Sequence, residues 1–245
     1  MQLLEIENLN YYADLAYKIL EKSTNYNRGK KIISEIFKIQ PNNDLHFSDI
    51  VILRLTVIDS YYSTQMNKRL FGIEDIANKI EEFKTDDFLK KQCEIFLVNP
   101  TETNSNISKL FENNYGIQKN GKESGQAASL ISKYLYFLMK YEFPIYDSLA
   151  KQSYSTIKSN YQLNNIQKIG FKFSIDYFQK IKTFKEFLKI ESYNKLDNLL
   201  WLIGKVNKKS FSLILNRDSY IKQIKDERLN KFILFANQLK TNHDS

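Results

Sequence analysis

Glycine and proline are scarce in this chain, which has seven glycines and three prolines among 245 residues. These two residue types are the strongest local breakers of regular structure, so long stretches run without interruption. Between the breaks, apolar residues mostly recur at the spacing of an amphipathic helix. The pattern predicts an all-α protein. A chain of this length can form one large domain or two small lobes, and no linker rich in Pro, Gly or Ser divides residues 1–245.

Apolar periodicity sets the expected positions of the helices. The segment 48–69 is the ambiguous one, because its β-branched residues also suit a strand. Its length without Gly or Pro favours a buried helix. The predicted helices cover about 4–22, 27–39, 48–69, 73–83, 86–97, 104–114, 126–140, 147–159, 174–189, 193–205 and 218–239.

The residue types present limit the chemistry of any site. Lys and Arg total 36 against 28 Asp and Glu, a net charge of +8 that suits a polyanionic partner such as nucleic acid. Cys93 is the single cysteine, and His46 and His243 are the two histidines, so no zinc or iron–sulfur spacing exists. Chemistry must rest on carboxylates, lysines, hydroxyls and backbone, and we expect no metal and no cofactor.

The N-terminal stretch "MQLLEIENLNYYADLAYKIL" carries Glu5, Glu7 and Asp14 among its apolar residues. Such charges are not found in the apolar part of a signal peptide or in a membrane span. We therefore expect a cytoplasmic protein without a membrane partner, and a monomer.

Three glycines, Gly116, Gly121 and Gly125, lie between two helical patterns in "YGIQKNGKESGQAAS". The stretch partly matches the phosphate-binding pattern G-x-x-x-x-G-K-[ST]. However, Glu123 stands where a hydroxyl is needed, and the preceding segment reads as helix rather than strand. A helix, a glycine-bearing hairpin and a second helix, over about 104–140, is the better interpretation.

Such a hairpin has groups that suit a DNA or RNA phosphate. Backbone N–H groups at the glycines, the side chains of Lys119 and Lys122, and the dipole of a helix beginning near Gln126 could all contact it. An ordinary loop with solvated lysines is the alternative.

The helix after the hairpin, "SLISKYLYFLMK" over 129–140, is amphipathic. Projection at 100° per residue puts its leucines and Ile131 on one stripe. Ser129, Lys133, Tyr136 and Lys140 form a narrow polar ridge opposite. The simplest interpretation of the two lysines is that they are solvated surface residues.

One of the few prolines, Pro144, interrupts the chain in "KYEFPIYDSLAKQSY". Proline disfavours helical geometry at the residue before it, so an extended entry leads into the next helix. Asp147 or Ser148 then falls where an N-cap belongs.

Together, "YGIQKNGKESGQAASLISKYLYFL" and "FPIYDS" resemble the helix-hairpin-helix DNA glycosylase superfamily, including its 8-oxoguanine glycosylase-like branch. The resemblance implies a two-lobed helical bundle whose cleft receives a nucleotide turned out of DNA. It also implies that the turn at 141–150 delivers a catalytic carboxylate, Asp147, which stabilises positive charge on the deoxyribose as the base leaves.

The chain departs from this family at the nucleophile. Members that also cut the strand carry a lysine about eighteen or nineteen positions before the aspartate, where this chain has Ser129 and Ala128. Lys133 lies one turn further along the helix, and helical side chains lean toward the N-terminus, so it could reach back. A monofunctional glycosylase is favoured, in which Asp147 activates water. Strand cleavage through Lys133 and a non-catalytic DNA-binding relative are the alternatives.

Aromatic and amide side chains are candidates for stacking a turned-out base and contacting its edge. They are Tyr62 and Gln65 in "SYYSTQ", and Trp201 in "NLLWLIGK". A lone Trp among leucines is more often a core residue.

The hairpin is longer and more charged than the compact L-P-G-[VI]-G loop of the family. A helical protein-interaction module, in which the many aromatics only pack helices, is a further alternative.

Overall fold

The computed structural model describes residues 7–101, 105–118, 120–170, 172–208 and 227–241, and this part of the chain is all-helical, as predicted. Two isolated antiparallel bridges are the only strand pairing within these ranges. A short 3-10 helix covers Met66–Lys68. The α-helices are α1 (Glu7–Lys22), α2 (Thr24–Ile36), α3 (Phe47–Tyr62), α4 (Gly72–Glu81), α5 (Asp86–Val98), α6 (Asn106–Glu112), α7 (Ala128–Leu138), α8 (Ser148–Asn160), α9 (Asp176–Phe187), α10 (Tyr193–Asn207) and α11 (Glu227–Thr241).

The prediction of one helix over 48–69 is wrong at its C-terminal end, because α3 ends at Tyr62. Asp59 closes the turn that follows. Its carboxylate accepts a hydrogen bond from the backbone N–H of Met66 at 3.0 Å and another from the hydroxyl of Thr64. These bonds stabilise the turn in place of a further helical turn. The predicted helix at 218–239 begins in a stretch that lies outside the described residues, and α11 covers its C-terminal half.

The chain divides into two compact units. The first consists of the described residues within 1–30, 147–171 and 180–245, and the second of those within 31–146 and 172–179. The hairpin and α7 lie in the second unit, whereas Asp147 and α8 lie in the first.

In the first unit, α10 packs against α1, α8 and α11. Gly204 of α10 lies directly against α8, since a Cβ at this position would be 3.0 Å from the Cβ of Leu149. The ring of Tyr12 stacks on Phe235 of α11 with centroids 3.7 Å apart. Close packing of α10 therefore fixes the first turn of α8, the helix that Asp147 precedes.

In the second unit, α7 packs against α3, α5 and α6. The core of this unit contains an aromatic cluster. Between ring centroids, Phe111 lies 4.6 Å from Phe178, and Phe96 lies 6.1 Å from Phe143. Phe143, just before Pro144, is fully buried. The residue before the proline thus anchors the turn in the core.

A buried arginine joins three helices of the second unit. The guanidinium of Arg54 on α3 donates to the carboxylate of Asp86 at 2.7 Å and to the hydroxyl of Tyr134 on α7 at 3.3 Å. It also donates to the carbonyls of Phe37 and Ile39. Because a buried charge is costly unless it is paired, this network restricts how α3, α5 and α7 can pack.

No helix within the described residues combines the length and the apolar content needed to cross a membrane.

Candidate functional site

The hairpin between α6 and α7 is a bridged extended turn. Gln118 donates its N–H to the carbonyl of Lys122 at 2.8 Å, and Gly121 donates to the carbonyl of Gln118 at 2.9 Å. Ile117 and Leu70 exchange two backbone hydrogen bonds, each 2.9 Å long. The hairpin therefore pairs with the segment that precedes α4.

Two of the glycine N–H groups expected to contact a phosphate already have acceptors in the chain. The N–H of Gly116 donates to the Asp75 carboxylate at 2.8 Å, and that of Gly121 donates within the turn. In the structure described, these two groups hold the hairpin together. Any phosphate contact at the hairpin must depend on its other groups.

The remaining predicted phosphate contacts stay predictions. Lys122 and Gly125 are exposed, and so is Gln126, two residues before the start of α7. Lys119 lies outside the described residues. Ala127 occupies the N-cap position of α7 without a side-chain cap, so the first-turn N–H groups lack the side-chain acceptor that many helices have.

Arg69, which the sequence analysis did not single out, fastens the hairpin from one side. Its guanidinium donates to the carbonyls of Tyr115 at 3.2 Å, Gly125 at 2.5 Å and Gln126 at 3.3 Å. Partial burial lowers the pKa of Arg69, although arginine stays charged. One side chain thus holds both ends of the hairpin.

The hairpin also approaches the turn before α4 very closely. Gly116 has a φ of 75°, and a Cβ there would be 2.8 Å from the Cα of Gly72 and 2.9 Å from the carbonyl oxygen of Leu70. Only glycine fits this position. We call residues 66–72, 115–118 and 120–125 together the hairpin block, because these contacts join them into one element.

The polar ridge predicted for α7 is wrong. Lys133 is 4% exposed and Tyr136 is 1% exposed, while Ser129 is half-buried and Lys140 is exposed. The reason is that α3, α5 and α6 all pack against α7, so most of its circumference is covered. Ala128, the other residue at the expected lysine position, is also buried.

Lys133 reaches back one helical turn. Its Nζ lies 2.7 Å from the Oγ of Ser129 and 5.6 Å from the ring centroid of Tyr62. A hydroxyl and an aromatic face therefore surround a nearly buried amine. The structure brings together Lys133, Ser129 and Tyr62, three of the residues chosen from the sequence.

Ser129 lines a pocket of about 260 Å³ at the start of α7. One wall is aromatic, with the rings of Tyr146 and Phe173 packed edge to face at 4.9 Å. The volume is below the roughly 300–1,000 Å³ of sites for drug-sized ligands, so the pocket suits a smaller molecule. The other lining residues are Thr64, Met66, Arg69, Gln126, Ala127, Ala128 and Leu130.

Sequence reasoning missed several of these lining residues. The sequence offered a reason to consider Tyr146, because it directly precedes Asp147, the candidate catalytic carboxylate. Thr64 lies next to Gln65 in the quoted stretch "SYYSTQ", but Phe173 comes from a distant segment and carries no local signal.

The turn after α7 is fastened to α7 itself. Tyr146 donates its N–H to Ser132 Oγ at 2.9 Å, and the Tyr177 hydroxyl donates to the carbonyl of Ile145 at 2.6 Å. Ser132 is fully buried and donates to the carbonyl of Ser129 at 3.2 Å. These bonds hold Tyr146, the residue before Asp147, against α7 at Ser132, which lies one helical turn after Ser129.

Asp147 is the N-cap of α8, which confirms the capping prediction. Its backbone is extended, with φ −138° and ψ 145°, and its Oδ1 accepts the N–H of Leu149 at 2.7 Å. The half-buried carboxylate is held in one orientation by this bond. A catalytic role for it stays a prediction.

Gln65 and Trp201 were predicted to contact a base. Gln65 is exposed, has a φ of 66°, and accepts a hydrogen bond from Lys68 at 3.2 Å. Trp201 belongs to the first unit, where its half-buried ring lies 5.3 Å from the ring of Tyr26 and 5.1 Å from Lys205 Nζ. Neither residue is among those lining the pocket beside Ser129.

Among the residues that the structure describes, no group of three His, Cys, Asp or Glu side chains could hold a metal ion. Comparison of the chain with protein-family models, curated proteins and solved structures gives no match.

Proposed function

We propose that this protein is a DNA glycosylase, which turns a damaged or modified base out of DNA and cleaves its N-glycosidic bond. The observation that carries the proposal is the pocket at the start of α7. It has an aromatic wall, the Ser129–Lys133 pair beside it, and Tyr146 on its lining directly before Asp147 in the chain. The net charge of +8 supports DNA as the partner.

In this proposal the pocket receives the base. Tyr146 and Phe173 offer aromatic faces to the ring, and Thr64 and Gln126 offer polar groups to its edge. Base-flipping enzymes combine these two kinds of contact, because stacking holds any base and hydrogen bonds select among them.

The carboxylate of Asp147 would act at the sugar. As the bond between C1′ and the base nitrogen breaks, its electron pair leaves with the base, and positive charge develops on the deoxyribose. A carboxylate held by the N-cap bond stabilises that charge without reorganising. Water then attacks C1′ and gives up a proton to Asp147, and the departed base nitrogen takes up a proton from solvent, which leaves an abasic site and a neutral free base.

Strand cleavage is a second candidate activity, and one observation favours it. Lys133 Nζ contacts the hydroxyl of Ser129, which occupies the position where strand-cutting members of the family carry their lysine. In its neutral form this amine could attack C1′ in place of water as the base leaves. Loss of a proton and cleavage of the bond between C1′ and the ring oxygen O4′ then give an imine, and elimination of the 3′ phosphate breaks the strand.

The test is incubation with duplex and single-stranded oligonucleotides that contain 8-oxoguanine, uracil, alkylated bases or modified cytosines. Released base and strand nicks are measured separately. We expect base release from at least one substrate, and loss of release in Asp147→Asn. DNA binding without any release would instead indicate a non-catalytic DNA-binding module.

The role of Lys133 is tested by borohydride trapping. If Lys133 forms an imine, wild type gives a covalent protein–DNA adduct that Lys133→Gln lacks. Lys140→Gln is the matched control, because Lys140 follows the same helix but is exposed. Base release without nicks or adduct would identify a monofunctional enzyme.

A further inference from the structure

A second cavity lies at the opposite end of α7 from the pocket beside Ser129. Its volume is about 310 Å³, at the lower end of the roughly 300–1,000 Å³ that small-molecule sites span, and its lining residues belong to the second unit. We call this cavity, which is lined by Phe137 and Leu138 at the end of α7, the distal pocket. Among the described residues, the two pockets share no lining residue, so the distal pocket is a separate site.

Aromatic rings give the distal pocket flat apolar walls. The rings of Phe37 and Phe137 stack with centroids 5.9 Å apart, and the ring of Tyr141 packs edge to face on Phe137 at 5.8 Å. The buried guanidinium of Arg54 lies 4.6 Å from the ring centroid of Phe37 and holds that ring in place. A planar ligand can stack on side chains that are already fixed in this way with little loss of side-chain entropy.

A pair of hydroxyl groups lies at the same pocket. The hydroxyls of Ser34 and Tyr141 are 2.5 Å apart and join α2 to the turn after α7. Tyr141 has a φ of 75°, directly after Lys140 with a φ of 50°. The usual left-handed ending of a helix needs one such residue, so helix termination explains Lys140 but not Tyr141. Left-handed strain at bulky residues clusters at ligand-binding sites, and here it holds the Tyr141 hydroxyl against Ser34.

Three lysines from different segments also line the distal pocket, namely Lys38 after α2, Lys90 on α5 and Lys140 after α7. Lys38 pairs with Glu35 at 2.6 Å, and Lys90 pairs with Asp87 at 3.0 Å. Ion pairs between exposed side chains contribute little stability, because water screens them. Either amine can therefore turn to a bound anion at small cost.

The acidic side chain among the described lining residues is already balanced. The carboxylate of Asp86 accepts a hydrogen bond from the buried guanidinium of Arg54 at 2.7 Å. Its negative charge is thus compensated from inside the protein, and the lysines set the charge that a ligand meets. We therefore expect the distal pocket to attract an anionic group.

We propose that the distal pocket binds a nucleoside monophosphate, a ligand that combines a planar ring, hydroxyl groups and an anionic group. The base stacks on the rings of Phe37 and Phe137, the sugar contacts the hydroxyls of Ser34 and Tyr141, and the phosphate pairs with the lysine amines. The inference does not rest on the proposed base release, because the distal pocket is separate from the pocket beside Ser129. An aromatic carboxylate shares the ring and the anion, and the experiment separates it from the nucleotides.

The experiment is isothermal titration calorimetry of the full chain, without DNA. The ligands are the monophosphates of adenosine, guanosine, cytidine and uridine, and indole-3-acetate as the aromatic carboxylate. We expect at least one monophosphate to bind with a Kd below about 1 mM. Its nucleoside, which lacks the phosphate, and ribose 5-phosphate, which lacks the ring, should each bind at least about 10-fold more weakly.

Lysine variants test whether the anion lies in the distal pocket. We expect Lys90→Gln and Lys140→Gln each to weaken binding of the monophosphate by roughly 3- to 10-fold, the scale of one partly exposed charge contact. Lys91→Gln is the matched control, because Lys91 is exposed on the same helix as Lys90, does not line the pocket and removes the same net charge. It should bind as wild type does. Unfolding midpoints show that each variant is folded.

The possible outcomes each decide the proposal. Equal affinity in wild type, Lys90→Gln and Lys140→Gln would overturn it, and so would an equal loss in Lys91→Gln, which would indicate a general effect of charge. If Tyr146→Leu weakens binding and the lysine variants do not, the nucleotide occupies the pocket beside Ser129 and the proposal is wrong.

The ligand series gives the remaining outcomes. No binding of any monophosphate up to about 5 mM would contradict the site. Tighter binding of indole-3-acetate than of every monophosphate would contradict the nucleotide as ligand. Because no titration contains DNA, these results hold whether or not the protein releases a base.

Discussion

Asp147 has a structural role and a proposed chemical role, and the two depend on different properties of one side chain. Capping needs an oxygen that accepts the N–H of Leu149, whereas stabilising a cationic sugar needs a negative charge. Asparagine keeps the oxygen and loses the charge, so a substitution at this one residue can separate the roles.

We therefore expect the free energy of unfolding of Asp147→Asn to lie within about 0.5 kcal/mol of the wild-type value, because Asn and Asp are comparable N-caps. Asp147→Ala removes the acceptor and should lower the free energy of unfolding by about 1 kcal/mol. Urea denaturation of wild type, Asp147→Asn and Asp147→Ala measures the three free energies of unfolding. Equal losses in the Asn and Ala variants would show that the charge itself, rather than the cap, stabilises the fold.

Gly116 and Gly121 provide a matched test of the close contact inside the hairpin block. Both have positive φ, 75° and 79°, but a Cβ at Gly116 would meet backbone at 2.8 Å while a Cβ at Gly121 would meet nothing within 4 Å. We expect Gly121→Ala to cost about 1–2 kcal/mol from backbone strain alone. Gly116→Ala should cost about 2–4 kcal/mol, because overpacking is added.

Thermal or urea unfolding of these two variants checks the difference. Similar losses at both positions would mean that the contact between Gly116 and Gly72 is loose.

Several helices end without the glycine that usually terminates a helix. After α7, Tyr141 donates its N–H to the carbonyl of Tyr136 at 2.7 Å, and Lys140 has a φ of 50°. After α9, Ile190 donates to the carbonyl of Lys185 at 3.0 Å, and Lys189 has a φ of 53°. Both are Schellman endings with lysine where glycine is preferred.

Lys140→Gly and Lys189→Gly should therefore each raise the free energy of unfolding, by about 1 kcal/mol. Denaturant titration measures both variants against wild type. The two positions lie at the ends of different helices, so a gain at one and a loss at the other would show that a lysine side chain makes a stabilising contact of its own.

The helices were predictable because apolar periodicity is a local signal, and the entry to α8 was predictable because Pro144 and Asp147 act within a few residues of each other. The end of α3 was missed, since it depends on the Asp59 carboxylate closing a turn. Periodicity assigned Lys133 to an exposed ridge, because it cannot tell which helices cover a face. Phe173 reaches the pocket from a distant segment, which no local pattern reveals.

At the scale of the whole molecule, one buried cation makes stability depend on pH. Lys30 is 7% exposed, and burial lowers its pKa from 10.5 to about 8, while Asp197 acts in the opposite direction. The unfolded chain therefore binds more protons than the folded one between pH 8 and 10.5. The free energy of unfolding must therefore rise with pH across that window, because its slope with pH follows the excess of protons bound by the unfolded chain.

We expect Lys30 to contribute a gain of about 1 kcal/mol in the free energy of unfolding between pH 7 and pH 9. Burial raises the pKa of the Cys93 thiol, so Cys93 lowers the free energy of unfolding as pH rises above 9.0. A control variant is therefore needed to separate the effect of Lys30 from that of Cys93. Lys30→Met is that control, since it keeps Cys93 and removes only the amine. Urea unfolding at both pH values should give a smaller gain for Lys30→Met, and parallel pH profiles would contradict the assignment.

In the proposed reaction this +8 chain releases a base from DNA, and Asp147 supplies the negative charge. The most direct measurement is released base from the panel of modified oligonucleotides, with wild type and Asp147→Asn compared at equal folded concentration. We expect release by wild type and a loss of at least about 100-fold in the variant, the scale of one electrostatic catalytic group. Equal release by both proteins would contradict the role of Asp147, and no release by either from any substrate they bind would contradict the glycosylase assignment.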